Sequence, residues 1–131
     1  MTPEQAVAFV QREPARYPPG TILLRMTMRP ESYTLLSFWN DPKNGCVQEA
    51  RLARLRAPKR LPIGRIIPTQ KRVNRQQMVT VLTDPAARDR PVLVMLRQGK
   101  LVLVDGHHRV YAQKLLGRKT VLAHVMVAEN K

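Results

Sequence analysis

The stretch that decides the fold is residues 103–117, LVDGHHRVYAQKLLG. A short apolar segment, residues 101–104, predicts a strand, and residues 105–109, DGHHR, lead from it directly into a helical pattern. Gly117 follows the last apolar position, where a glycine commonly ends a helix. Helical spacing predicts that the helix buries four residues: Val110, Ala112, Leu115 and Leu116. The stretch therefore predicts a strand, a tight turn and a helix in succession.

A helix that begins at such a turn is well suited to hold an anion. Its unpaired N–H groups and the positive end of its dipole point to the same place. Two imidazoles and a guanidinium in the first turn oppose that dipole, and a bound anion would remove this penalty. We therefore predict a phosphate site at residues 105–109. In the alternative interpretation, Asp105 is an ordinary N-cap, Gly106 a turn residue and the three cations a solvated first turn.

Composition favours a polyanionic partner. The chain has 131 residues with 44% hydrophobic content, enough for one domain with a real core and an N-terminal extension. Its 23 Lys and Arg outnumber 9 Asp and Glu, for a net charge of +14, which favours nucleic acid first and acidic membranes second. Residues 51–75 contain no acidic residue, a pattern that is often only a solvated face of the protein. We assign seven cations of this stretch to contact with nucleic acid: Arg51, Arg54, Lys59, Arg60, Lys71, Arg72 and Arg75.

Other features narrow the setting of the protein. Cys46 is the single cysteine, which excludes an internal disulfide and a zinc site built mainly from cysteine. The N-terminal residues are mixed and polar, unlike a signal peptide, and no apolar run approaches 18 residues. We therefore expect no membrane span and a cytoplasmic location.

The first part of the chain predicts an extension of unknown role, residues 1–60. Thr2 and Pro3 predict a helix start, with the helix reaching about Arg12. Residues 21–28 and 32–39 predict a hairpin, and residues 46–57 a helix. The basic segment 58–62 is interpreted as a linker and an internal boundary. Residues 1–60 are also the candidate surface for protein partners.

The second part, residues 61–131, predicts a compact mixed domain. Strands are expected at residues 63–67, 91–97, 101–104 and 120–127, and a polar loop at 83–90. A helix is expected at residues 74–82, capped by Asn74, in addition to the helix after residue 106. The fold class is therefore α+β (mixed α/β), with helices and strands interspersed along the chain.

Residues 61–127 resemble the ParB/sulfiredoxin fold, in its branch of ParB-like nuclease domains. The order of elements agrees: a strand ending at 68–70 (PTQ), a helix, a hairpin, the DGHHR turn, a helix ending at Gly117 and a closing strand. The resemblance covers about half of the chain. It implies that Gly106, His107, His108 and Arg109 cradle the phosphates of a nucleotide such as CTP or ATP, and that Thr69 and Gln70 close the site.

The departures from this family argue against two of its activities, sulfinic-acid reduction and phosphorylation of serine. Sulfiredoxins carry a catalytic cysteine where this chain has His107, and free-serine kinases of this fold use a glutamate where it has Gln70. Glutamine cannot act as a general base. Partitioning ParB proteins continue into helix-turn-helix and dimerisation domains, whereas this sequence ends at Lys131, so we expect no complete partitioning clamp.

Three functions remain open. The first is an enzyme that acts on phosphate esters: a nuclease, a nucleotidase or a phosphotransferase. In such an enzyme Asp105 would hold Mg²⁺ or orient an imidazole, and Arg109 would clamp the phosphate. His107 or His108 would be the general acid or base. Few carboxylates are available to such a site. The second is a module that binds DNA or nucleotide without turnover. We rank binding of DNA or nucleotide first and leave catalysis open. The third is a structural role in an assembly, such as a phage particle, in which case the protein is virion-associated.

Overall fold

The computed structural model describes residues 1–26 and 56–127. The second strand of the predicted hairpin (32–39), nearly all of the predicted helix 46–57, and Cys46, Arg51 and Arg54 lie outside the described residues. Within those residues, no helix has both the length and the apolar character needed to cross a bilayer.

The N-terminal elements pack directly onto the second half of the chain. Helix α1 (Pro3–Arg12) begins at a capping box formed by Thr2 and Gln5, as the sequence predicts for its start. It packs against α2 (Arg75–Thr83), which is capped by Asn74 as expected. Strand β1 (Thr21–Leu23) pairs antiparallel with a short strand, β4 (Arg72–Asn74), that the pattern does not predict.

The centre of the fold is a five-stranded mixed sheet. Its strands are β2 (Lys59–Pro62), β3 (Ile66–Ile67), β5 (Val92–Arg97), β6 (Lys100–Asp105) and β7 (Thr120–Val127), arranged in the order β2-β7-β5-β6-β3. Strands β5 and β7 are parallel, as are β3 and β6, whereas β5 with β6 and β2 with β7 are antiparallel. Consequently β2, β3 and β6 end at one edge, where β5 and β7 begin. We call this the turn edge.

Helices α2, α3 (Pro85–Arg88) and α4 (His107–Leu115) complete the fold, and a single core joins them to the sheet and to the N-terminal elements. Val92, Val94 and Leu103 of the sheet belong to the same buried cluster as Ala6 and Val10 of α1. The opposite face of the central strands is buried as well, through Leu93, Met95, Val102 and Met126. This burial on both faces explains the nearly continuous apolar runs of these strands.

The α+β class is confirmed, but some boundaries were predicted wrongly. The segment 58–62 is not a linker, because most of it forms β2 on β7. Its cations and prolines suggested a loop, yet an edge strand paired on one side accepts both. The predicted strand 63–67 begins as a 3₁₀ turn (Ile63–Arg65), and the predicted loop 83–90 contains α3, capped by Asp84. The domain boundary at residue 60 stays a prediction.

Truncation of Val10 tests whether α1 is part of the core. Val10 is fully buried, so Val10→Ala should lower the free energy of unfolding by about 2 kcal/mol, measured by urea denaturation. Gln11→Ala, at an exposed neighbour on the same helix, should change it little. Equal stability of the two variants would show that α1 is detached in solution.

Candidate phosphate site at the turn edge

The turn between β6 and α4 depends on a glycine. Gly106 is the N-cap of α4 with φ +109°, a conformation that L side chains rarely adopt. A Cβ at this position would lie 2.5 Å from Cγ1 of Val92 and 2.8 Å from its Cβ. Strand β5 therefore approaches the turn too closely for any side chain. The expected close backbone approach and positive φ are both present.

Gly117 ends α4 as the sequence predicts. Its φ is +82°, its N–H donates to the carbonyl of Lys114, and the N–H of Arg118 donates to the carbonyl of Gln113, both at 3.0 Å. This is the double hydrogen bond of a Schellman motif. Both ends of α4 are thus defined by glycines in the left-handed region.

The two glycines form a matched pair for mutation. Gly106→Ala adds a clash with Val92 to the strain of a positive φ, so we expect a loss of about 3 kcal/mol in unfolding free energy. Gly117→Ala meets no atom within 4 Å and should lose only about 1 kcal/mol. Chemical denaturation of both variants measures the difference. Equal losses would contradict the close approach at Gly106.

His107 is buried and holds the segment that follows β3. It is 3% exposed, and its Nε2 accepts a hydrogen bond from the N–H of Thr69 at 2.9 Å. The Thr69 hydroxyl, 3.1 Å from the same nitrogen, donates to the carbonyl of Leu103 at 2.8 Å. Burial, and to a lesser degree the neighbouring His108, lowers the pKa of His107 to about 4, against an opposing effect of Asp105. At neutral pH the ring is therefore neutral, and its Nε2 lone pair is engaged.

His108 makes an equivalent bond a few residues further along that segment. Its Nε2 accepts from the N–H of Asn74 at 3.0 Å. Burial is the main cause that lowers its pKa, followed by the charge of Arg109, while Asp105 acts in the opposite direction. Two adjacent imidazoles thus fix the two ends of residues 69–74. We call these residues the anchored segment.

The anchored segment presents polar and cationic side chains to solvent. Gln70, Lys71 and Arg72 are all exposed between the two imidazole bonds. The segment is also held from its other side, because the N–H of Leu24 donates to the carbonyl of Lys71 at 2.9 Å and β1 pairs with β4. Two cations are therefore held on the segment that the first turn of α4 anchors.

Arg109 is directed toward the chain that enters β5. Its Nη1 donates to the carbonyls of Pro91 at 2.7 Å and Arg90 at 3.4 Å, and its Nη2 lies 3.6 Å from Oδ2 of Asp105. The side chain is only 16% exposed. Arg109 therefore ties the turn to residues 90–91, and its role as a phosphate clamp stays a prediction.

Asp105, at the end of β6, has a half-exposed carboxylate. Among residues 1–26 and 56–127, no three His, Cys, Asp or Glu side chains come together as a metal site would require. The donor set around Asp105 therefore does not by itself make a Mg²⁺ site, and the metal and catalytic roles given to this residue stay predictions.

The other predicted nucleic-acid contacts are distributed over several surfaces. Lys59 and Arg60 are exposed on β2, at the far side of the sheet from β3. The guanidinium of Arg75 donates to the carbonyls of Gln11 and Glu13, at 3.3 and 2.6 Å, and so joins α2 to the end of α1. The contact of these cations with nucleic acid stays a prediction. Arg51 and Arg54 lie outside the described residues.

Acidification should weaken the fold through His107. The pKa of His107 in the folded protein lies below its ordinary value of 6.5, so folding favours the neutral ring. This contribution to the free energy of unfolding is complete above pH 6.5 and is lost as the pH falls toward 4. The loss should approach about 3 kcal/mol, because each pKa unit is worth about 1.4 kcal/mol. Urea denaturation between pH 7.5 and 4.5 measures it. His107→Gln keeps an acceptor without the titration, and an equally steep pH dependence in that variant would contradict the assignment.

Comparison with known proteins gives a partial structural likeness. No protein-family model matches the sequence, and no curated protein matches it. A sulfiredoxin from Arabidopsis thaliana is similar in structure over 56% of this chain and 88% of its own, with 18% identity and a TM-score of 0.47. The C-terminally truncated chromosome-partitioning protein ParB from Caulobacter crescentus, complexed to the centromeric parS site, is similar over 56% of this chain, with 21% identity and a TM-score of 0.41. The chain spans 40% of that ParB structure.

Proposed function

We propose that the turn at residues 105–109 and the anchored segment together bind a phosphate group of a nucleotide or of a nucleic acid. The observation that carries this proposal is the N-terminus of α4. Its N-cap is a glycine that makes no side-chain hydrogen bond to the first turn, and the positive end of the helix dipole lies there. Exposed Lys71 and Arg72 lie on the segment held against this turn, where they add positive charge.

In this proposal the two histidines position the site. The Nε2 atoms of His107 and His108 already accept hydrogen bonds from Thr69 and Asn74, so their task is to hold the anchored segment beside the helix. Backbone N–H groups at the start of α4 donate to the phosphate oxygens. Gln70 contributes an amide, and Lys71 and Arg72 contribute charge. Phosphate suits this arrangement because several oxygens of one group can accept from several donors at once.

Titration followed by NMR tests the proposal directly. Inorganic phosphate, CTP, ATP and a short DNA strand are each added to the ¹⁵N-labelled protein, with chloride at equal ionic strength as the control. Saturable shifts of the amide resonances of residues 106–109 and 69–72 are expected. Shifts confined to other parts of the chain would overturn the proposal and leave the assembly role.

A pair of charge variants separates the site from general electrostatic attraction. Lys71→Gln with Arg72→Gln should weaken phosphate binding severalfold, because two cations next to the turn are removed. Arg97→Gln with Lys100→Gln removes the same charge from the opposite edge of the sheet and should have a smaller effect. Equal effects of the two pairs would contradict a local site.

Catalysis is a separate question with its own measurement. If the protein hydrolyses phosphate esters, release of phosphate from CTP, ATP or DNA should require Mg²⁺ and should be abolished by Asp105→Asn, while phosphate binding persists. Binding without such turnover assigns the protein as a binding module.

A further inference from the structure

We propose that the turn edge carries a binding track for a single strand of nucleic acid, formed by a linear row of cations. The row has six members, Lys71, Arg72, Arg90, Arg118, Lys119 and Arg60, and we call it the cation row. Three of them, Arg90, Arg118 and Lys119, are exposed and lie outside the basic stretch 51–75. The proposal extends the phosphate site at residues 105–109, on which it rests for one of its contacts.

The row follows from the order and direction of the strands. Lys71 and Arg72 come after β3, the candidate turn comes after β6, and Arg90 precedes β5. Arg118 and Lys119 precede β7, and Arg60, the second residue of β2, lines one cleft together with both of them. Because the sheet order is β3-β6-β5-β7-β2, these segments are successive neighbours along one edge. Four strand spacings of about 4.8 Å give the row a length of about 19 Å.

Side-chain contacts keep the middle of the row in line. Residues 88–91 are hydrogen-bonded to α4 and the residues just after it at three points. Arg109 donates to the carbonyl of Pro91 at 2.7 Å, Gln113 to the carbonyl of Arg88 at 3.1 Å, and Arg118 to Oδ1 of Asp89 at 2.7 Å. Helix α4, about 13 Å long at 1.5 Å per residue, therefore runs beside this segment. Arg90 is thereby placed between the two ends of the row.

At the far end of the row the cations converge on a cleft. Its volume is about 510 Å³, and Arg60, Arg118 and Lys119 line it together with Thr120 and Gln113. Asp89 is the one carboxylate among its described lining residues, and it is paired with Arg118, which lowers the pKa of Asp89. Three cations and one paired carboxylate give this cleft a positive potential.

The shape of the row favours a nucleic-acid strand as the ligand. A single strand can follow the row and bring several successive phosphates to its cations. A mononucleotide would reach only one end of the row. An acidic membrane would meet a surface rather than a line, and it becomes an outcome of the test.

Two matched triple variants test the track. The row variant removes two arginines and one lysine from the row through Arg90→Gln, Arg118→Gln and Lys119→Gln. The control variant removes the same types of charge from the opposite edge, where β3 begins and where β5 and β6 are connected, through Arg65→Gln, Arg97→Gln and Lys100→Gln. Urea denaturation establishes that both variants are folded.

Affinity for a labelled twelve-nucleotide single strand is measured by fluorescence anisotropy over a range of salt concentrations. The row variant should bind the strand at least tenfold more weakly at low salt. Its slope of log K against log salt concentration should be shallower by about two, because each of the three lost phosphate contacts in a single strand contributes about 0.7 to the slope. The control variant should stay within a few-fold of the original. In a series of shorter strands, affinity should rise with length and level off once the strand spans the row.

The outcomes separate this track from the phosphate site. If the row variant loses strand binding but still shifts the amides of residues 106–109 with inorganic phosphate, both proposals are supported. If the row variant and the control lose strand affinity equally, the track is overturned while the phosphate site stands. If phosphate shifts no amide at the turn but the row variant still loses strand binding, the proposed function fails and the track stands without that contact. Tighter binding to phosphatidylserine vesicles than to the strand, lost in the same variant, would overturn it in favour of a membrane.

Discussion

The approach of the turn to strand β5 at Gly106 constrains the whole turn edge of the molecule. No side chain fits between this backbone and Val92, so the chain passes from β6 into α4 with a glycine in the left-handed conformation. That conformation sets the direction of α4 along the sheet edge and places His107 and His108 toward the anchored segment. Arg109 returns to residues 90–91 from the same turn. One backbone geometry therefore positions the anchored segment, the N-terminus of α4 and the entry to β5.

The two histidines make contacts that their residue type does not reveal. Imidazoles beside a candidate phosphate site indicate acid–base chemistry, because their ordinary pKa lies near neutrality, and that role stays a prediction. Burial lowers the pKa of both, and each Nε2 accepts a backbone N–H. A neutral ring that accepts one hydrogen bond can hold a strand-end segment in place where a charged side chain would be too costly to bury.

The N-terminal elements contribute to the site through packing. Ala6 and Val10 share the core with the sheet, and β1 pairs with β4 at the end of the anchored segment. Arg75 links α2 to the end of α1. The described residues before residue 27 thus support the segment that presents Lys71 and Arg72.

The sequence by itself determined the strand–turn–helix at residues 101–117, both of its glycines, the caps at Thr2 and Asn74, and the α+β class, because each depends on residues adjacent in the chain. Strand β2 was mistaken for a linker, since pairing with β7 is a contact between residues about 60 positions apart that cations and prolines do not reveal. Only the tertiary structure decided that His107 and His108 act as acceptors, because their partners lie more than 30 residues away. It also decided which cations between residues 60 and 119 come near the turn edge. That alignment comes from strand order and direction, which no local pattern encodes.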